Sequence, residues 1–406
     1  MASLRLLFYT NDMHKYLLTL VLSIALILPA SSFAAAPEER FEISGWIPYW
    51  AVSAGTRSAK NHFDELSAVM PFSYSVQSNG KLKDLAGMDK RTWQRFIDDA
   101  AKEDVRVTPT VMTSDGAMVH TLLSDATKRK AHIEEIVDMV EDGDFDGVDI
   151  DYEGKRAATR TYFSLFLKEL KDELDGKFLS CSIEARTPPA SLYRVIPATI
   201  EYANDLQEIG KYCDRVNVMT YDQQRADLTL NDAKKGTPYY PVADPDWVKK
   251  VIEFMAQDIS KNKLVIGVAS YGREVAVTVS PDWFQSYASV RAVNAPDALK
   301  TAKKFKVKPS ENKAGEQSFS YLPKGSAIKL RDLPEAPRGT SSGDEVAMRA
   351  LAYANKTGKS VVVNLVWWSD ANAVKDKVQL AKELGVRGVA LFKIDGEEDK
   401  NIWKLF

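Results

Sequence analysis

The chain of 406 residues is 45% hydrophobic and 27% charged, a composition that can bury a core and that excludes a disordered chain. Its 54 Lys and Arg stand against 56 Asp and Glu with no basic block, which excludes a nucleic-acid partner, because neutralising several phosphates needs clustered cations. The length suits one α/β barrel of ~250 residues carrying an insertion, or two domains.

The first predicted element is an export signal. Tyr16 to Leu28 is an unbroken apolar run, preceded by Arg5 and Lys15 and followed by Pro29 and small residues. The run falls short of the ~20 residues that a membrane-crossing helix needs. Cleavage after Ala34 is expected, so residues 1–34 form the signal peptide, with Met13 as an alternative start. The mature chain is then expected to be secreted or to lie in the periplasm or cell envelope, with no membrane attachment after cleavage. Cys181 and Cys213 are read as buried thiols, with one bridge between neighbouring elements as the alternative. The four histidines are scattered, so neither a histidine metal site nor a Ser-His-Asp triad is supported.

Short β-branched runs follow at 41–50, 66–76, 105–112, 145–153, 178–186, 215–222, 263–271 and 387–394. Helical patterns fill most gaps, among them 92–103, 160–174 and 372–385, the last ending at Gly385 as a helix C-cap does. Strands alternating with helices in this way predict an α/β fold, a (β/α)8 TIM barrel. The rhythm breaks once, between the seventh and eighth strands. There residues 274–365 are expected to form a small α+β insertion on a barrel made of 35–273 and 366–406, and no repeat of 20 to 50 residues is visible.

Chemistry concentrates on the fourth strand. In Asp146-Gly147-Val148-Asp149-Ile150-Asp151-Tyr152-Glu153 the acids Asp149, Asp151 and Glu153 alternate with apolar residues, so all three share the face toward the barrel axis. Burying three carboxylates there costs several kcal/mol unless they share protons or find donors. At least one is therefore expected to stay protonated near neutral pH, as a general acid must. Glu153, nearest the C-terminal face where barrel active sites sit, is the candidate donor. The alternatives are a surface acidic strand and a metal site, but the calcium-loop pattern needs a glycine and a distant glutamate within a loop and is not met.

This stretch, Asp146-Gly147-x-Asp149-x-Asp151-x-Glu153, resembles the signature of glycoside hydrolase family 18, the chitinase family. Met219-Thr220-Tyr221-Asp222, Gly267 to Arg273, Gly45 to Trp50 and Phe72-Ser73-Tyr74 resemble its sixth, seventh, first and second strands, and the likeness runs from about 40 to 395. It is closer to the branch with bacterial spore-cortex and other peptidoglycan-acting members.

The resemblance implies hydrolysis of β-1,4 bonds next to N-acetylglucosamine, with retention, by a substrate-assisted route. The partner it implies is an N-acetylglucosamine-containing polysaccharide, chitin or its oligomers ahead of peptidoglycan. A non-catalytic glycan binder on the same scaffold is the other class. No cofactor, no metal and a monomer are expected. Glu153 would protonate the leaving oxygen and then activate water, and Asp151 would hold the acetamide N–H. Asp149 would share a proton with Asp151, and Tyr221 would position the acetamide carbonyl.

Candidate substrate contacts are Trp46, Tyr49 and Phe72 at strand ends, Met219 and Asp222 beside Tyr221, Tyr271 and Arg273 after the seventh strand, and Phe392. Trp50 and Tyr74 are weighed against core packing, and Arg186 is expected in a surface ion pair. Phe392 stands where the family usually has the Trp that floors the central sugar subsite. A sugar stacks on Phe with less area and without an indole N–H. Trp367 and Trp368 are expected under the insertion.

Overall fold

The computed structural model describes residues 41–406, so the expected signal at 1–34 lies outside the described residues. Seven barrel strands come first: β1 (Glu42–Pro48), β2 (Ala68–Val76), β3 (Thr110–Thr113), β4 (Gly147–Tyr152), β5 (Phe178–Glu184), β6 (Arg215–Met219) and β7 (Leu264–Ala269), with the short strands Leu82–Asp84 and Arg106–Val107 paired to β2. The chain then leaves the barrel for β8 (Gly272–Ser280), β9 (Trp283–Val293), β10 (Gln317–Tyr321) and β11 (Val361–Trp368), and returns as β12 (Gly388–Phe392). β12 pairs in parallel with both β7 and β1, and β1 pairs with β2, which closes an eight-stranded parallel barrel. The fold is the expected (β/α)8 barrel.

The helices outside cover the barrel with apolar stripes. α1 (Arg91–Lys102) buries Trp93, Phe96 and Ala100, spaced three and four apart on one face. Aspartates start several helices: Asp125 accepts from the N–H groups of Thr127 and Lys128 at the head of α2 (Ala126–Asp142), and Asp370 from that of Ala373 at the head of α3 (Ala371–Leu384). Gly385 ends α3 in the left-handed conformation expected there, at φ 66°. The glycine of the acidic motif has a packing reason, since a Cβ on Gly147 would lie 1.9 Å from the carbonyl oxygen of Phe178 on β5.

Cys181 on β5 and Cys213, just ahead of β6, are joined in a disulfide, which corrects the reading of two buried thiols. Neighbouring parallel strands bring their Cα atoms to 6.0 Å, within bridging range. Their sequence separation of 32 residues predicts a loss of about 3–4 kcal/mol when both are replaced by Ser. That is a melting temperature lower by about 5 °C in calorimetry.

The N-terminal end of the barrel is plugged by charge. Arg215, fully buried, and Arg387 both donate to Glu42. Burial opposes ionisation of Glu42, yet the two guanidiniums bring its carboxyl down to about 2. From Arg215 polar contacts climb the interior through Ser180, Asn217 and Ser182 to Asp149.

On the helix side of β4, His132 of α2 is buried between the Gly80 carbonyl and the Tyr152 hydroxyl. Burial holds its imidazole down at about 4, against gains from the Gly80 hydrogen bond and the nearby Glu135. The unfolded chain binds this proton near the ordinary pH of ~6.5 and the folded one only near 4. Stability is therefore lost as pH falls through that window, by about 2–3 kcal/mol at its lower end. Urea unfolding at pH 7 and pH 4.5 should show this part of the acid sensitivity disappear in His132→Gln.

The insertion is an antiparallel sheet in the order β9-β8-β11-β10, extended by the short strand Ser310–Glu311. It runs from Gly272 to Trp368, wider than 274–365, because β8 and β11 already pair at the barrel rim. Trp367 and Trp368 are buried in it. Glu316, fully buried, accepts from the N–H groups of Val242 and Ala243 at 2.9 and 2.8 Å and so ties the insertion to the loop after β6.

Candidate active site

At the C-terminal end of the barrel a cavity of about 530 Å³ opens. Of the expected residues it is lined by Asp151, Glu153, Phe72, Met219, Tyr221, Asp222, Tyr271, Arg273 and Phe392. The inward face of β4 is settled by its partners. Asp149 accepts hydrogen bonds from Trp46 Nε1 on β1 (3.2 Å), Thr110 Oγ1 on β3 (2.9 Å), Ser182 Oγ on β5 (3.0 Å) and Asn217 Nδ2 on β6 (3.3 Å). Donors on four different strands place this carboxylate on the barrel axis. Val148, Ile150 and Tyr152 face the helices, where Tyr152 packs against Phe163 and Phe166.

The three acids differ in what surrounds them. Asp149, fully buried, has donors on both oxygens and no hydrogen bond to Asp151; the expected proton sharing has no direct link in this structure. Asp151 is buried, and its Oδ1 has no hydrogen-bond partner among the described residues. Burial first, then the charges of Glu153 and Asp149, push its carboxyl well above the usual carboxylate range. Glu153 is only half-buried, and its carboxyl makes no hydrogen bond among the described residues. Burial raises its proton affinity, Glu184 and Asp222 raise it further, and Lys155 works against them.

Around the acids stands an aromatic wall. Phe392 stacks on Tyr221 with ring centres 5.5 Å apart, and meets Trp46, Phe72 and Tyr271 edge-on at 5.8, 5.8 and 6.1 Å. Burial and the neighbouring Tyr271, Asp151 and Glu153 push the Tyr221 phenol well above its ordinary range. It stays a donor, and its hydroxyl has no partner among the described residues. Asp222 is held by Tyr271 Oη at 2.8 Å and by Arg273 Nε at 2.9 Å.

Two expected contacts do not reach the cavity. Trp46 is buried beneath it, 2% exposed, with its indole N–H committed to Asp149. Tyr49 turns against Trp50 instead, ring centres 4.8 Å apart. Trp50 takes its place at the mouth, 54% exposed, with an edge toward Phe72. Arg186 has no ion pair among the described residues: it lies 4.0 Å over the Tyr202 ring and donates to the Asn204 carbonyl. Sequence reasoning also missed the wall that the insertion supplies, Ala292 to Asn294 and Asp297, and Lys393 after β12. No motif marked these residues, since the insertion's position over the rim decides their role.

A family model described as Glycosyl hydrolases family 18 matches residues 44–397. The chain belongs to this family. It is a family-18, chitinase-like glycosidase, which hydrolyses glycosidic bonds. Among curated relatives it is 25% identical over 292 residues to "Uncharacterized glycosylase YvbX" of Bacillus subtilis, covering 71% of this chain and 69% of that one. It is 24% identical over 279 residues to "Cortical fragment-lytic enzyme" of the same organism, covering 67% of this chain and 52% of that one. The family-18 chain thus spans about half the length of the latter. Its fold is shared with the spore cortex-lytic enzyme SleL of Bacillus cereus, at TM-score 0.64 and 19% identity, over 90% of this chain and 73% of that one.

Proposed function

We propose that the chain is an exported hydrolase that cleaves β-1,4 bonds beside N-acetylglucosamine with retention of configuration. The observation that carries this reading is the Glu153 carboxyl, half-buried, unpartnered and raised in proton affinity, on a cavity shared with Asp151 and Tyr221. Glu153 gives its proton to the glycosidic oxygen while the acetamido oxygen of the sugar attacks C1, breaking the C1–O bond. The leaving chain departs as an alcohol and an oxazolinium ion remains. Glu153, now a carboxylate, takes a proton from the water that opens it at C1. The Tyr221 hydroxyl donates to the acetamide carbonyl oxygen, and Asp151 accepts from its N–H and faces the cation. No protein nucleophile and no metal takes part in this scheme.

Chitin and its oligomers suit the aromatic wall of Trp50, Phe72 and Phe392. Cell-wall glycan is the second reading, favoured by the likeness to the cortical fragment-lytic enzyme. Export is supported by the sequence of residues 1–34 and by the disulfide, which persists in oxidising compartments. The test is a mass-spectrometric product profile on chitin, chitooligosaccharides and purified cell wall in parallel, with NMR of fresh products. Fragments ending in N-acetylglucosamine in its β-anomeric form are expected. α-Anomers appearing first, or no cleavage of any of the three, would reject the reading.

A further inference from the structure

Glu153 stands between two peptide groups that are both held by one ion pair. On its N-terminal side, the fully buried Lys155 side chain donates to the Tyr152 carbonyl oxygen. On its C-terminal side, Gly154 takes a left-handed turn, φ 63°, and its N–H donates to Glu184 Oε1 at 3.0 Å. Glu184 ends β5 and is braced by Asn204 Nδ2 at 3.0 Å. Lys155 Nζ lies 3.6 Å from Glu184 Oε2 and closes the loop. Neither side chain lines the cavity, so neither touches a substrate in it.

We propose that Lys155 and Glu184 are positioning residues for Glu153: their ion pair clamps the peptide groups on either side of it and balances the charge its carboxyl feels. The inference rests on Glu153 being the acid. A buried lysine needs a partner for stability alone, but that need does not explain why both members grip the peptides of this one residue. The charged and titratable groups facing Glu153 are Glu184 from β5, Lys155 from its own loop, Asp151 from β4, and Asp222 with Tyr221 after β6. Asp222 is offset by Arg273, so Lys155 and Glu184 are left as the opposed pair that sets the balance. The directions agree: Glu184 raises and Lys155 lowers the proton affinity of Glu153. Burial opposes the charge on each of the two, and each supports the charge of the other.

The test is a ¹³C NMR titration of the Glu153 carboxyl, its resonance assigned by its loss in Glu153→Gln. Glu184→Gln should move the midpoint down by about one pH unit and Lys155→Met up by a similar amount. The double variant, neutral at both positions, should return close to wild type. The alkaline limb of kcat/KM should move in the same directions. Midpoints that stay put, or that move the same way in both single variants of unchanged near-UV circular dichroism, would overturn the proposal. Full activity in Glu153→Gln would instead reject Glu153 as the acid, and the titration would still decide whether the pair governs its carboxyl.

Discussion

Glu153→Gln is expected to lower kcat/KM on chitooligosaccharides or cell-wall glycan by at least ~10³-fold, near the upper range of general acid catalysis, with little change in ligand affinity. The amide is isosteric with the protonated acid, fits the same half-buried place, and cannot deliver a proton. The same group must act twice, first as acid and then as base, so its loss affects both halves of the cycle. Neither Asp149 nor Asp222 can substitute: Asp149 is enclosed by donors beneath the cavity, and Asp222 is committed to Tyr271 and Arg273. Because burial and Glu184 raise the proton affinity of the Glu153 carboxyl, its acid form persists to higher pH than that of an ordinary glutamate. Activity should fall only as pH rises through that raised value. Release of a chromophoric leaving group measures the rate, and calorimetry with chitotetraose measures binding. An undiminished rate would exclude the mechanism, while saturable heat without product from the wild-type chain would favour a glycan-binding role.

The barrel was legible because its strands and helices are local patterns: short β-branched runs, amphipathic stripes such as that of Trp93, Phe96 and Ala100, and the Gly385 cap. The acid triad was legible for the same reason, since alternation on one strand fixes a face without reference to any partner. What failed depended on non-local geometry. Trp46 and Tyr49 lie at the end of an aromatic strand, and only the barrel's closure shows Trp46 directed at Asp149 beneath the floor, with Trp50 at the mouth. The cysteines are 32 residues apart in sequence, and their pairing follows from β5 and β6 being neighbours. In sequence, Glu184 and Lys155 look like ordinary surface charges. The one available signal was an acid ending the fifth strand at the same level as Glu153.

Asp151→Asn is expected to cut kcat by about 10²–10³-fold with little effect on stability, and the reason is the state of its carboxyl in the empty site. Burial and two neighbouring acids favour the protonated, neutral form, so an amide of the same shape replaces a group that is already uncharged. The loss appears only in the reaction. Once substrate binding has released the Asp151 proton to solvent, the ionised carboxylate stabilises the positive charge that develops on the oxazolinium, and an amide supplies no such charge. The unpaired Oδ1 is consistent with a group whose partner arrives with the substrate. Asp149 provides the contrast. With donors on both oxygens, Asp149→Asn must turn its NH2 toward at least one donor, costing about 1–3 kcal/mol. Thermal denaturation and steady-state rates on the two variants separate the roles. Asp151→Asn should unfold close to the wild-type temperature but turn over slowly, and Asp149→Asn should lose stability as well. If Asp151→Asn proves as destabilising as Asp149→Asn, Asp151 is ionised in the empty site and the assignment of charge among the three acids is wrong.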